Sequence, residues 1–116
     1  MLDISAKAES GKLQTVSLSG EFDLYETEKV DNTLIYIYSQ NPLTIIIDLS
    51  SISFMDSTGV GLLISWFAKF KESGIRMMLV LNTNAHVMRR LGRLLLLTEP
   101  NLKFYETIEE AKADIQ

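Results

Sequence analysis

Leu43-Thr44-Ile45-Ile46-Ile47-Asp48-Leu49 is the stretch whose character decides the fold. It is apolar on both faces, which suits an interior strand covered on both sides, and such strands have parallel neighbours joined by crossover helices. Ile75–Leu81 is a second run of the same kind. Between the two, Val60 to Ser73 carries Leu63, Phe67 and Phe70 on one helical stripe, with Gly74 as its C-terminal stop. Strand, helix, strand makes a βαβ unit, whose crossover is right-handed by rule. The helix is apolar nearly all round through its first turns, so much of it is expected to be buried.

Upstream, Leu2–Ala8 and Leu13–Ser19 form two short strands around a Ser10-Gly11-Lys12 turn, and Gly20 closes the segment. Asp23, with Glu26 three residues on, has the pattern of a capping box and opens a helix. Val30, Leu34 and Ile37 then recur at helical spacing, beside Tyr38, until Asn41-Pro42 stops the helix. Downstream, Asn84 caps a helix through Val87, Leu91 and Leu94 or Leu95, followed by Pro100. Leu102–Tyr105 is a short strand, and Thr107-Ile108-Glu109-Glu110 is a second capping-box pattern, opening a final helix to about Asp114. The expected architecture is α/β: one domain over residues 1–116, with a mixed, mostly parallel sheet of four to five strands and about four helices.

Bulk composition narrows the function. A chain of 116 residues that is 47% hydrophobic can bury one ordinary core. Its formal charge of -4, from 15 acidic and 11 basic residues, gives no support to sequence-independent nucleic-acid binding. It has no cysteine, which excludes disulfides and thiolate metal sites. The start, Met1-Leu2-Asp3-Ile4-Ser5, lacks a secretory pattern. The longest apolar stretch, around Val60 to Ala68, falls short of the roughly 20 residues a membrane span needs. A cytoplasmic protein without direct membrane or nucleic-acid partners is the expectation.

In open α/β sheets, ligands and partners meet the loops beyond the carboxyl ends of the strands. Here the loop after Leu49 is Ser50-Ser51-Ile52-Ser53-Phe54-Met55-Asp56-Ser57-Thr58-Gly59-Val60-Gly61, dense at its end in hydroxyls and glycines where a helix begins. Free N–H groups and the helix dipole favour an anion there by about 0.3–1 kcal/mol per charge at exposed sites. A phosphate on Ser57 is therefore compatible with the helix. Local chemistry also allows a plainer role, with Asp56 or Ser57 as N-cap and Gly59 and Gly61 letting helix and strand pack closely.

Phe54-Met55-Asp56-Ser57-Thr58-Gly59-Val60-Gly61, in register behind Ile45-Ile46-Ile47-Asp48-Leu49, resembles the signature of the STAS domain of bacterial anti-sigma-factor antagonists. Leu18-Ser19-Gly20-Glu21-Phe22-Asp23 is similar to the family's upstream Gly-Glu-(apolar)-Asp motif, and the likeness runs to Glu109-Glu110-Ala111. The resemblance implies a non-enzymatic partner-switching module without a cofactor of its own. Such modules bind a cytoplasmic anti-sigma factor that is also a serine kinase and itself holds ATP and Mg²⁺. Phosphorylation at the position of Ser57 releases the antagonist, and a serine phosphatase restores it. Asp23, Asp56, Ser57, Thr58 and Gly59 fall on the partner-binding surface, with Asp56 orienting Ser57 or engaging the partner. The alternative is a STAS subunit that is never phosphorylated and serves a structural role in a transport or other multiprotein complex.

The region after Asn84 departs from the family, whose Thr-Gly or Ser-Gly pair is replaced here by Thr98-Glu99 and Pro100. Arg89, Arg90 and Arg93 form a basic cluster that reads as a solvated helix face or, more sharply, as a docking patch. His86 is the sole histidine, so no catalytic triad or His-based metal site assembles around several. Trp66 is expected in the core. Tyr25, Tyr36 and Tyr38 form no stacking platform for nucleic acid. Gly59-Val60-Gly61 has no Gly-Lys-Ser/Thr after it and is not a phosphate loop. A small enzyme or nucleotide-binding domain is thereby disfavoured.

Overall fold

The computed structural model describes residues 1–82, 93, 97 and 102–115. Strands β1 (Leu2–Ala8) and β2 (Leu13–Phe22) are followed by a 3-10 turn (Leu24–Glu26) and helix α1 (Thr27–Ser39). Then come β3 (Thr44–Met55), α2 (Ser57–Glu72), β4 (Arg76–Val80), β5 (Phe104–Tyr105) and α3 (Ile108–Ala113). The five strands lie side by side in chain order. β1 and β2 are antiparallel, and every later pairing is parallel. This is the expected mixed, mostly parallel sheet, with three α-helices among the described elements.

Helices α1 and α2 cover one face. Val30, Leu34 and Ile37 of α1 and Leu63, Trp66 and Phe70 of α2 pack on Val16, Leu18, Phe22, Ile45, Ile47 and Leu49. The opposite face carries a smaller core, in which Ala111 of α3 meets Ile46, Met78 and Val80. Ile45, Ile46 and Ile47 therefore all lie at 0% exposure, which is why their run shows no alternation. Along α2 the second position of the buried stripe belongs to Trp66, while Phe67 is only half-buried.

Tyr38, Trp66 and Phe70 form a ring cluster between α1 and α2, with centroids 5.3–5.9 Å apart. The indole Nε1–H donates to Asp31 Oδ1 at 2.7 Å, so the buried ring leaves no donor unsatisfied. Lys69 Nζ lies 5.2 Å from the Tyr38 ring centroid and 5.0 Å from that of Trp66. Tyr38 Oη and Ser73 Oγ share a hydrogen bond of 2.6 Å, tying the end of α1 to the end of α2. Gly74, at φ 74°, ends α2 as expected.

Three expectations are corrected. Gly20 does not close the second strand: β2 passes through it to Phe22, with its register against β3 slipping between Gly20 and Glu21. Gly20 sits at φ 104°, and a Cβ there would lie 2.4 Å from the Met1 carbonyl oxygen, so only glycine fits beside β1. The Asp23 capping box does not form as written. Asp23 Oδ1 accepts from Tyr25 N at 3.0 Å and caps the 3-10 turn, while Glu26 pairs with Lys29. At Thr107 the forward half of the box is present, with Glu110 N donating to Thr107 Oγ1 at 3.1 Å. Its return bond shifts by one residue, from Glu106 N to Glu110 Oε2 at 3.0 Å. Arg93 and Leu97 are helical and exposed. The rest of the helix expected from Asn84, with His86, Arg89, Arg90 and the Thr98-Glu99-Pro100 departure, lies outside the described residues.

Phe70 is fully buried and touches both aromatic neighbours in the α1–α2 cluster. Phe70→Ala is expected to cost about 3–5 kcal/mol through lost burial and the cavity left behind. Denaturant unfolding followed by Trp66 emission measures it, and a loss below about 1 kcal/mol would show that the two helices do not depend on this ring.

Candidate functional site

The candidate site lies at the carboxyl end of β2 and β3. The expected loop from Ser50 to Gly61 is not a loop: β3 continues to Met55, a single residue turns the chain, and α2 begins at Ser57 rather than Val60. The extension is held by pairing with β2, as Ser51 opposes Ser19, Ile52 opposes Gly20, Phe54 opposes Glu21 and Met55 opposes Phe22. Ile52 is buried, and Asp48 Oδ1 accepts from Ser50 N and from Ser50 Oγ. The hydroxyl-rich run hid a strand because Ser50 bonds locally to Asp48 while Ser51, Ile52, Phe54 and Met55 join the ladder with β2.

The single turning residue is Asp56, whose backbone is extended at φ -92° and ψ -179°. Its Oδ1 accepts from Thr58 N at 3.1 Å, from Gly59 N at 3.1 Å and from the Thr58 hydroxyl. Its Oδ2 reaches across to Leu24 N at 3.0 Å, and its own N–H donates to the Phe22 carbonyl at 3.2 Å. Of the two cap candidates, Asp56 is the N-cap. These bonds hold its carboxyl below the ordinary aspartate pKa, the Thr58 hydroxyl contributing most and Gly59 N–H next, against an opposing effect of burial.

Ser57, the first residue of α2, is exposed, and nothing among the described residues hydrogen-bonds its hydroxyl. Thr58 is exposed with its hydroxyl turned back onto Asp56. Gly59 is buried against the sheet, where a Cβ would lie 3.0 Å from Met55 Cγ and 3.2 Å from the Phe22 ring. Gly61 has open space around it, so the close approach of α2 to the strands rests on Gly59 alone of that pair. Asp23 arrives from the end of β2, and the Asp56–Leu24 bond is what joins its turn to α2. Glu21 shares this end and pairs with the N-terminal amine at 3.4 Å. Asp23 is thus brought to the same end of the sheet as Asp56, Ser57, Thr58 and Gly59.

Two features escaped the sequence. One is the Asp56–Leu24 link between segments 32 residues apart, which no local pattern encodes. The other is the apolar surface beside Ser57: Leu24, Tyr25 and Phe54 are 57%, 89% and 45% exposed. Leu24-Tyr25 directly after a capping Asp is the only signal for it. Among the described residues, no group of three His, Asp or Glu side chains could hold a metal, and no helix is long and apolar enough to cross a membrane. Two cavities of about 360 and 350 Å³ open elsewhere, one beside Phe67 and Arg76, the other beside Leu13 and Leu43.

A model of the STAS domain family matches residues 6–111. The chain belongs to the STAS domain family. Among solved structures, an anti-sigma factor antagonist from Mycobacterium paratuberculosis superposes with a TM-score of 0.85 at 22% identity, over 99% of this chain and 94% of that one. The anti-sigma factor antagonist SpoIIAA in its unphosphorylated form gives 0.78 at 24% identity, over 97% and 96%. The Bacillus cell fate determinant SpoIIAA in the phosphorylated form gives 0.75 at 23%, over 98% and 100%. At these identities the likeness shows that the whole STAS fold is shared.

Two glycines two residues apart separate packing from helix propensity. Gly59→Ala is expected to destabilise by about 1–3 kcal/mol through overpacking, and Gly61→Ala to stabilise by up to about 1 kcal/mol in an exposed helix. Chemical denaturation of the two variants distinguishes them, and equal shifts would contradict the packing described. The Asp56 cap also carries a pH signature. A carboxylate whose folded pKa is depressed contributes its stabilisation fully above the ordinary aspartate value and loses it as pH falls through the lowered one. The stability gap between wild type and Asp56→Ala is therefore expected to be largest at neutral pH and to close in acid. A gap independent of pH would mean that the cap does not act through the charged form.

Proposed function

We propose that this STAS protein is a cytoplasmic anti-sigma-factor antagonist, a non-enzymatic switch whose partner is an anti-sigma factor with serine kinase activity. The observation that carries the proposal is the presentation of Ser57: an exposed hydroxyl, engaged by none of the described residues, on the first turn of a 16-residue helix, directly after a carboxylate whose two oxygens are already occupied. A kinase can reach that oxygen without unfolding anything. Thr58, the neighbouring hydroxyl, is spent on the cap. That asymmetry favours Ser57 as the acceptor.

The chemistry balances simply. Ser57 Oγ bonds to the γ-phosphorus of ATP, the bond from that phosphorus to the β–γ bridging oxygen breaks, ADP leaves, and the seryl proton passes to a base on the kinase. The product carries roughly -1.5 to -2 added charge at pH 7. The helix N-terminus tolerates an anion there, so the fold persists and the change is one of surface charge. Glu21, Asp23 and Asp56 already make this end acidic, and within the complex the new phosphate faces the ADP that its donor became. Like charges opposed across an interface cost several kcal/mol, and about 1.4 kcal/mol is already tenfold in affinity. Release follows, and a serine phosphatase resets the chain.

The test is incubation with candidate anti-sigma kinases, ATP and Mg²⁺, with phosphate mapped by mass spectrometry and binding measured for three forms. Phosphate is expected on Ser57, Ser57→Ala is expected to bind like wild type and to resist release, and Ser57→Asp is expected to bind at least tenfold more weakly. Phosphate found only elsewhere, or equal binding by both variants and the phosphorylated chain, would remove the switch.

A further inference from the structure

Leu24 and Tyr25 are large apolar residues in the open, on the 3-10 turn that Asp56 ties to the phosphoacceptor helix. Exposure alone would mean little, since single apolar side chains are common on surfaces. What sets this pair apart is how firmly it is held. Leu24 N donates to Asp56 Oδ2 at 3.0 Å, Tyr25 N to Asp23 Oδ1 at 3.0 Å, and the Leu24 carbonyl accepts from the Thr27 hydroxyl at 2.8 Å. Two carboxylates are spent on fixing one short turn, which leaves its two side chains projecting from an ordered backbone. A preordered aromatic group loses little entropy when it is covered, and tyrosine is among the residues that dominate interface energy.

The charge around the pair says what would cover it. Asp23 and Asp56 hold the turn and Glu21 and Glu28 flank it in the chain, while among the described residues the cations at this end are already paired, the N-terminal amine with Glu21 at 3.4 Å and Lys29 with Glu26 at 3.2 Å. A second copy docking through this patch about a two-fold axis would set acid against acid. An anionic lipid surface would be repelled in the same way. The complement is a protein with an apolar cleft to take the aromatic ring and Lys or Arg at its rim.

Resting on the function proposed above, we infer that Leu24 and Tyr25 are the anchor by which the chain's kinase partner grips it beside Ser57, and so determine which kinase it answers to. The acidic rim meets the partner's basic rim at the periphery, while Ser57 faces the nucleotide at the centre. The apolar anchor supplies holding affinity that does not depend on the phosphate.

The test uses the full chain and the anti-sigma serine kinases of the same genome, each with Mg²⁺ and a non-hydrolysable ATP analogue for binding, or ATP for turnover. Tyr25→Ala and Leu24→Ser are each expected to raise Kd at least tenfold and to lower kcat/KM for Ser57 phosphorylation comparably, with unfolding midpoints unchanged. Tyr25→Phe is expected to stay within about threefold of wild type. Leu43→Ser, which removes an equally exposed leucine ahead of β3 at the opposite end of the sheet, is expected to change neither quantity. Tyr25→Ala and Leu24→Ser variants that bind within twofold of wild type would overturn the anchor and leave the switch standing. Wild type that no such kinase binds or phosphorylates would overturn the switch and the anchor with it. Self-association in sedimentation velocity, or co-sedimentation with phosphatidylcholine–phosphatidylglycerol vesicles, would overturn the assignment to a kinase if Tyr25→Ala abolished it.

Discussion

A carboxylate that accepts from Thr58 and Gly59 on one side and from Leu24 on the other does two tasks with one charge. It satisfies the first free N–H groups of α2, which a helix start cannot leave unpaired. It also pins the turn that follows β2, so the acidic residues and the apolar pair come to the serine's side. Gly59 makes the arrangement possible by letting the first turn of α2 settle onto Met55 and Phe22. Without that approach the carboxylate would not span the gap. The geometry of the whole end of the domain follows from this contact.

The same contact bears on the modification proposed at Ser57, which would act with little structural change. Asp56 is engaged by donors on both oxygens while none of the described residues engages the Ser57 hydroxyl, so of two adjacent residues one holds the helix and the other faces outward. The helix behind them is anchored far from the serine, through Leu63, Trp66 and Phe70 and through the Tyr38–Ser73 bond at its other end. Charge added at its first turn meets a rigid body.

Much of this was legible in the sequence, for identifiable reasons. Ile45-Ile46-Ile47 announced a strand covered on both faces because two separate cores, one under α1 and α2 and one under α3, take its alternate side chains. The stripe of Val30, Leu34 and Ile37 marked α1, and Gly74 marked the end of α2. Ser50–Met55 did not look like strand, because hydroxyls favour loops in the absence of tertiary pairing, and it is β2 that supplies the pairing. Gly20 looked like a terminator but is a point of close approach to the Met1 carbonyl. Among the site residues, the motif stands at one end of the sheet, with Asp56 as the cap of α2 and Ser57 exposed as its first residue. Asp56 was read from local chemistry as one of two cap candidates and from the resemblance as orienting Ser57 or engaging a partner; the structure makes it the cap, and its added bond to Leu24 depends on nearness in space and not in sequence.

The sheet has one more property, which concerns how the molecule comes to exist. Its strands stand in the order in which they are synthesised, so no strand has to be inserted between two already in place. The β1–β2 hairpin closes on a short turn, and each parallel strand after it is laid on the free edge of its predecessor by the segment just made. Chains emerge from the N-terminus and domains fold as units during synthesis. At every stage of growth the exposed edge is the one that the next segment is about to cover. A chain built this way meets few opportunities to pair its strands wrongly, even though parallel pairing is slow. The helix that begins at Ser57 comes in mid-sequence, after the hairpin and the first helix beside which it packs.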